Sequence, residues 1–194
     1  MAVPPLISAD ALSALRRDMR KLRRHIAKAE NWRPASLNDE LNELISKSSV
    51  IGLYAPMSGE PDPTLVPRGQ SPKIFSRPAL TDENLLEFRQ WTHGDREIPS
   101  SWGGFQPATS APVVHPDVIF VPLVAFDGVL NRLGQGGGHY DRYLADNGTA
   151  LRIGVAWEAQ RVDLLPVRPW DVPLDAVITE QNCYTKELQR CLSR

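Results

Sequence analysis

Arg132-Leu133-Gly134-Gln135-Gly136-Gly137-Gly138-His139-Tyr140-Asp141-Arg142-Tyr143-Leu144 follows the apolar run Val118-Ile119-Phe120-Val121-Pro122-Leu123-Val124-Ala125-Phe126. Glycine fills four of the five positions from 134 to 138. A loop so stripped of side chains can reach backbone angles other residues avoid and turn several N–H groups toward one anion. The segment from Tyr140 to Leu144 is helix-compatible, and the N-terminus of such a helix adds its positive dipole end to the same place. The expected order is strand, glycine loop, helix. The glycines alone are equally compatible with a tight turn that binds nothing. Neither common phosphate fingerprint fits: the Gly-Lys-Ser/Thr ending of a P-loop is missing, and the sixth position counted from Gly134 is His139, not glycine. Arg132 before the loop and Asp141 after it tilt the reading toward a site, because they place a phosphate-suited fork and a metal-suited carboxylate around one bend.

Working outward, Val50-Ile51-Gly52-Leu53-Tyr54 reads as a short buried strand, and Ala55 to Pro63 as the loop at its carboxyl end, where ligands collect in an open α/β sheet. Within that loop Glu60 is a candidate ligand contact, although by residue type alone it reads as an exposed loop carboxylate. Upstream, Ser8 signals a helix start, and Leu12, Leu15, Met19, Leu22 and Ile26 recur at three- and four-residue steps, so an amphipathic helical arm over about residues 8–30 is expected. Its other face carries Arg16, Arg17, Arg20, Lys21, Arg23 and Arg24, either a solvated face or a set from which one or two arginines fold over a phosphate. A second helix is expected from about Leu37 to Ser46, with Ser36 as its cap. Lys73–Ser76, Arg152–Trp157 and Ala176–Thr179 read as strands, and Gln160–Leu165 as short helix or extended chain. Leu85–Trp91 is compatible with either element. Proline and glycine argue against a regular element in 97–107, where Trp102 stands out, and Pro166–Pro173 reads as a proline-punctuated connection. Alternation of strands and helices predicts an α/β fold, a mostly parallel sheet with helices on both faces.

The length of 194 residues suits a single domain spanning 1–194, and 42% hydrophobic residues suffice for a sizeable core. With 22 basic against 23 acidic residues, the net charge of −1 offers no global field to recruit nucleic acid or an anionic membrane. No apolar run approaches the ~18 residues a membrane span needs. Cys183 and Cys191 are too few for a disulfide scaffold or zinc site, and no secretory segment is evident, so a cytoplasmic protein is expected. The four histidines are too scattered for a metal cluster, and no Ser-His-Asp or Cys-His set stands out. Asp141 and Asp171 together could complete a magnesium–nucleotide site, since that ion takes one or two carboxylates plus phosphate oxygens.

The sequence resembles the 5-formyltetrahydrofolate cyclo-ligase family. The likeness is densest in Val121–Asp127 with Arg132-Leu133-Gly134-x-Gly136-x-Gly138-x-Tyr140-Asp141-Arg142. It extends to Arg16-Arg17-Asp18-Met19-Arg20, Gly59-Glu60, Ser101-Trp102 with Gln106-Pro107, and Trp170-Asp171-Val172-Pro173-Leu174. The resemblance implies a Rossmann-like fold related to the sugar-phosphate isomerase and coenzyme A transferase group. It also implies ATP- and Mg²⁺-dependent conversion of 5-formyltetrahydrofolate to 5,10-methenyltetrahydrofolate, in which the formyl oxygen is phosphorylated, N10 attacks and phosphate leaves; a monomer is expected. Carried over by position, Arg16, Arg20, Arg132, Leu133, Gly134, Gln135, Gly136, Gly137, Gly138, His139 and Tyr140 hold ATP. Asp141 and Asp171 bind the metal; Ala55, Met57, Glu60, Trp102 and His139 face the folate; Arg132 and Tyr140 are catalytic. The chain departs from the family pattern at Arg16, commonly Lys, at His139, usually Tyr or Phe, and in the two prolines after Glu60. Two other readings stand beside this one: a nucleotide-binding paralogue without folate chemistry, and a nucleic-acid-binding module resting on the N-terminal arginines.

Overall fold

The computed structural model describes residues 9–67 and 73–186, so the start signal at Ser8 and Cys191 lie outside the described residues. In chain order the elements are α1 (Ala9–Ala29), α2 (Asp39–Lys47), β1 (Val50–Gly52), β2 (Ile74–Leu80), β3 (Leu86–Gln90), β4 (Glu97–Pro99), β5 (Phe105–Pro107), β6 (Val113–Val114) and β7 (Val118–Pro122). They continue with β8 (Ala125–Asp127), β9 (Arg132–Leu133), α3 (His139–Asp146), β10 (Leu151–Val155), β11 (Arg161–Val162), β12 (Ala176–Ile178) and β13 (Cys183–Thr185).

Eight strands form one mixed sheet in the order β13-β12-β10-β7-β1-β2-β3-β6. The pairs from β12 through β10, β7 and β1 to β2 are parallel, and β13, β3 and β6 add antiparallel margins. The chain lays β2 on one side of β1 and β7 on the other, so the winding reverses between β1 and β7. In sheets of this kind ligands sit at that reversal, outside the carboxyl ends of the strands. Alternate residues of the central strands supply two cores. Val118, Phe120, Ile153, Val155, Ala176 and Ile178 pack with Trp32 and the α2 residues Leu41 and Ile45. Ile119, Val121 and Val177 pack on the opposite face with Phe88 and the α3 residues Tyr143 and Leu144. Leu12 of α1, flanked by Leu15 and Met19, covers Val124, Ala125, Leu133 and Leu165, so the helical arm is laid across the strand ends.

Two sequence expectations need correction and two open ones are decided. Residues 97–107 do contain regular structure: β4 and β5 form a two-stranded hairpin pairing Glu97 with Pro107, Ile98 with Gln106 and Pro99 with Phe105. Gly103 and Gly104, at φ +93° and +78°, make its bend, and a two-stranded ribbon is all edge, so a proline on each strand removes no central bond. The cap of α2 is Asn38, whose side chain accepts from Leu41 N–H at 2.8 Å, rather than Ser36. Leu85–Trp91 resolves as strand because Leu86 and Phe88 alternate into the core while Leu85 points to solvent. The piece after Trp157 is both alternatives in turn, a single 3₁₀ turn at Glu158–Gln160 and then β11. No helix among the described residues is long and apolar enough to cross a membrane.

Candidate active site

Two loops leave the sheet at the winding reversal and face each other. The one after β1 is fixed by Tyr54, whose hydroxyl donates to the Pro61 carbonyl at 2.7 Å, and by Trp157 Nε1, which donates to the Gly59 carbonyl at 2.9 Å. Gly59 has φ +80°, and a Cβ there would come within 3.0 Å of the α1 backbone at Arg24, so only glycine lets the loop press onto the helix.

The second loop begins with a tight reversal around Asp127. This buried carboxylate accepts from the N–H groups of Val129, Asn131 and Leu165 and from the Asn131 amide, which turns the chain into β9 and aims Arg132 inward. The glycine segment follows, and Gly138, in the left-handed region at φ +66°, stands at the N-cap of α3 with no side-chain cap. The first N–H groups of α3 are therefore open to an outside acceptor.

These loops and the surrounding side chains enclose a cavity of about 640 Å³, within the range of ligand pockets. One end is phosphate-like in its chemistry: the glycine loop is bordered by Arg16, Arg132, Arg142 and Arg168, with Asp141 and Asp171 beside them. Arg16 Nε donates to the Gly134 carbonyl at 2.9 Å. Burial, with Arg168 and Arg20 adding their charges, pushes the Arg16 pKa below its ordinary value. The Arg132 side chain is 4% exposed and its Nη2 donates to Asp141 Oδ1 at 2.6 Å. Burial lowers its pKa while Asp141 pulls back. A guanidinium remains charged through such shifts, so this end attracts anions.

The lining also carries apolar and aromatic side chains, among them Met57, Trp102, Phe105, Tyr54 and Tyr140. The Trp102 and His139 rings meet edge to face at 6.0 Å. Burial, then Arg142, lowers the His139 pKa, and burial drives the Tyr140 phenol far up, so it keeps its proton. Tyr140 OH and Arg132 Nε are buried polar atoms with no hydrogen-bond partner. Such orphans at a cavity wall point to an acceptor that a ligand brings.

Every candidate from the sequence lines this cavity except Arg20, which reaches the loop from outside, donating through Nε to Gln135 Oε1 at 2.8 Å and through Nη2 to the Gln135 carbonyl at 3.1 Å. The expectation of an exposed Glu60 is overturned: its side chain is 4% exposed and accepts from Arg23 Nη1 at 2.8 Å. Arg23 is equally buried, and so is no part of a solvated face. Sequence reasoning passed over Arg77, Glu97 and Arg168 and gave no role to the motif positions Arg142 and Trp170, yet all five line the cavity. Arg77 pairs with Glu97 at 2.7 Å and stacks 3.6 Å above Trp91. Arg168 stands in the connection before Asp171, where the only available hint was its nearness to that carboxylate, whereas Trp170 belongs to the motif that carries the family resemblance.

The 5-formyltetrahydrofolate cyclo-ligase family model matches residues 9–180. The chain belongs to that family. Among curated relatives, the 5-formyltetrahydrofolate cyclo-ligase of Haemophilus influenzae is 49% identical over 65 residues, 32% of this chain and 35% of that protein, so the matched stretch spans about a third of that relative's length. The Mycolicibacterium smegmatis cyclo-ligase is 27% identical over 195 residues, covering 91% of this chain and 97% of that one. The NMR structure of Aquifex aeolicus 5,10-methenyltetrahydrofolate synthetase superposes with a TM-score of 0.69 at 29% identity, over 94% of this chain and 96% of that one. The cyclo-ligase family thus shares this α/β architecture with its mostly parallel mixed sheet.

Among the described residues no three His, Cys, Asp or Glu side chains group into a metal cage. Asp141 and Asp171 nevertheless fit a magnesium ion that arrives with phosphate. Both line the cavity, and the N–H of Val172, next to Asp171, donates to the Asp141 carboxylate Oδ1 at 3.4 Å. Magnesium usually keeps waters and phosphate oxygens beside one or two carboxylates.

Proposed function

We propose that this protein is a 5-formyltetrahydrofolate cyclo-ligase that uses ATP to convert 5-formyltetrahydrofolate to 5,10-methenyltetrahydrofolate, with release of ADP and phosphate. The observation that carries this reading is that a glycine loop bordered by arginines and a set of apolar and aromatic side chains line one cavity. Two ligands of those characters can meet there without a covalent enzyme intermediate.

At the phosphate-like end, the open N–H groups of α3 and the glycine loop, with Arg16 and Arg132, would hold the ATP phosphates. Asp141 and Asp171 would hold magnesium, which would neutralise phosphate charge there. Met57, Trp102 and His139 would clamp the flat pterin while Glu60 accepts from its N–H groups. Phosphoryl transfer rests chiefly on positioning and on stabilising charge. Arg132 supplies fixed positive charge, and Tyr140, protonated at any working pH, donates to an oxygen of the bound ligands. His139, neutral because its pKa is lowered, adds no competing charge beside the folate.

The arginines of α1 do not favour a nucleic-acid module, because Arg16, Arg20 and Arg23 are turned to the two loops. The test is absorbance of methenyltetrahydrofolate with ATP present and absent, alongside ADP release. Product in equal amount to ADP is expected. Nucleotide binding with no folate turnover would instead mark a paralogue that lost the folate chemistry.

A further inference from the structure

Four side chains form a line of hydrogen bonds across the two loops, and both of its ends are rooted in α1. Arg20 Nε donates to Gln135 Oε1 at 2.8 Å, Gln135 Nε2 donates to Glu60 Oε1 at 3.2 Å, and Arg23 Nη1 donates to that same oxygen at 2.8 Å. Arg20 and Arg23 are three residues apart on α1, hence neighbours on one side of the helix. Arg23 also reaches the Ser58 and Leu123 carbonyls, each at 3.3 Å, so the folate-side loop and the chain after β7 hang from the same guanidinium. A guanidinium only donates and a carboxylate only accepts, so the Gln135 amide has a single orientation that satisfies both neighbours. Few side chains can do this: Glu would set a second carboxylate against Glu60, Met can neither donate nor accept strongly, and Asn is shorter by one methylene.

We propose that Gln135 couples the two ligand sites, so that nucleotide on the glycine loop tightens folate binding and folate tightens nucleotide binding. This rests on the reading above that the two loops hold two different ligands. Gln135 belongs to the glycine loop through its backbone and to Glu60 through its side chain. Both loops bend at left-handed glycines, Gly59 at φ +80° and Gly136 at φ +113°; Gly59 is pressed onto α1, whereas a Cβ at Gly136 would meet nothing nearer than Arg16 at 3.8 Å. A ligand that orders one loop fixes Gln135, and Gln135 in turn fixes Glu60, so the second ligand meets a loop already in place. Binding linkage makes the effect the same in both directions.

The test is calorimetric titration of a non-hydrolysable ATP analogue with and without saturating 5-formyltetrahydrofolate, and the reverse titration. In the wild-type protein each ligand raises the affinity of the other by about fivefold or more, the lower range of measured couplings, with the same factor in both directions. In Gln135→Met the factor falls to about one. Gln135 is exposed, so the variant folds, and the ratio reads the coupling whatever happens to each affinity taken alone. A wild-type factor of one, or an unchanged factor in Gln135→Met, overturns the coupling and leaves the functional reading standing. Failure of the folate to bind wild-type protein at all overturns the functional reading, and the coupling with it.

Discussion

Neutralising Asp141 separates two roles that its position gives it. A carboxylate kept only for a metal could become Asn without moving the melting temperature of the ligand-free protein. Asp141 is different, because its Oδ1 lies 2.6 Å from Nη2 of an arginine that is 4% exposed. Removing one partner of a buried ion pair costs roughly 3–5 kcal/mol, mostly the penalty of the charge left behind. Two features of the site reduce this. The Asp141 side chain keeps 20% of its surface in solvent, and an Asn oxygen can still accept from Arg132 and from Val172 N–H. A cost of about 2 kcal/mol is expected for Asp141→Asn. In a chain of this size that lowers the melting temperature by roughly 4–8 °C. Turnover should fall by orders of magnitude as well, if the carboxylate holds magnesium. Asp171→Asn is the control. Asp171 accepts from Arg168 N–H within its own turn, at 2.8 Å, rather than pairing with a buried cation, so it should lose comparable activity with a smaller thermal shift. Thermal unfolding without ligands and the methenyltetrahydrofolate assay check both. An unmoved melting temperature in Asp141→Asn would refute the ion-pair argument, and wild-type turnover would take Asp141 out of the metal site.

Gly136→Ala and Gly138→Ala should weaken ATP binding more than folate binding, because alanine at φ +113° or +66° costs roughly 1–3 kcal/mol of backbone strain; equal losses in separate calorimetric titrations would reduce the loop to a turn. Glu60→Gln should raise the folate KM roughly tenfold, from about 1.5–3 kcal/mol for a charge-assisted hydrogen bond. It should also destabilise the fold by about 3 kcal/mol through unpaired Arg23, and a destabilised variant with wild-type KM would leave Glu60 a purely structural acid. The lowered pKa of His139 lets the unfolded chain take up a proton first as pH falls below 6.5. The stability this group contributes is complete above that pH and lost as pH drops through the lowered folded value. His139→Gln should therefore flatten the melting temperature against pH below 6.5, and parallel curves for variant and wild type would place the acid loss elsewhere.

The sheet was legible where burial leaves a local trace. Val118–Val121 is apolar on both faces because β7 is covered on both, and the glycines downstream are dense enough to announce a bend whatever the rest of the chain does. Elements whose pattern is short or double were not legible. Leu85, Phe88 and Trp91 are spaced for a helix and Leu86 and Phe88 for a strand, and only pairing with β2 decides between them. The β4–β5 hairpin was hidden by its own prolines, which signal irregular chain unless the ribbon is known to be all edge.

The site was legible in its loops and hidden in its supports, and α1 shows why. Read alone, its arginines look like one basic face, because a sequence gives spacing around a helix but not what each turn will meet. Laid across the strand ends, they meet different things. Arg16 reaches the Gly134 carbonyl, Arg20 reaches Gln135, and Arg23 sinks onto Glu60, while Arg17 stays 63% exposed. Glu60 was misread for the same reason: the cation that lets a carboxylate be buried lies 37 positions earlier, in another element. Both residues follow from one fact that no local pattern contains, that the apolar stripe at Leu12, Leu15 and Met19 docks on Val124 and Leu133. Once the stripe is seated, the next side of the helix must face the two loops, and burying its arginines there requires carbonyls and a carboxylate to receive them. The arm is therefore a wall of the cavity, joined to both of the loops that the proposed reaction needs.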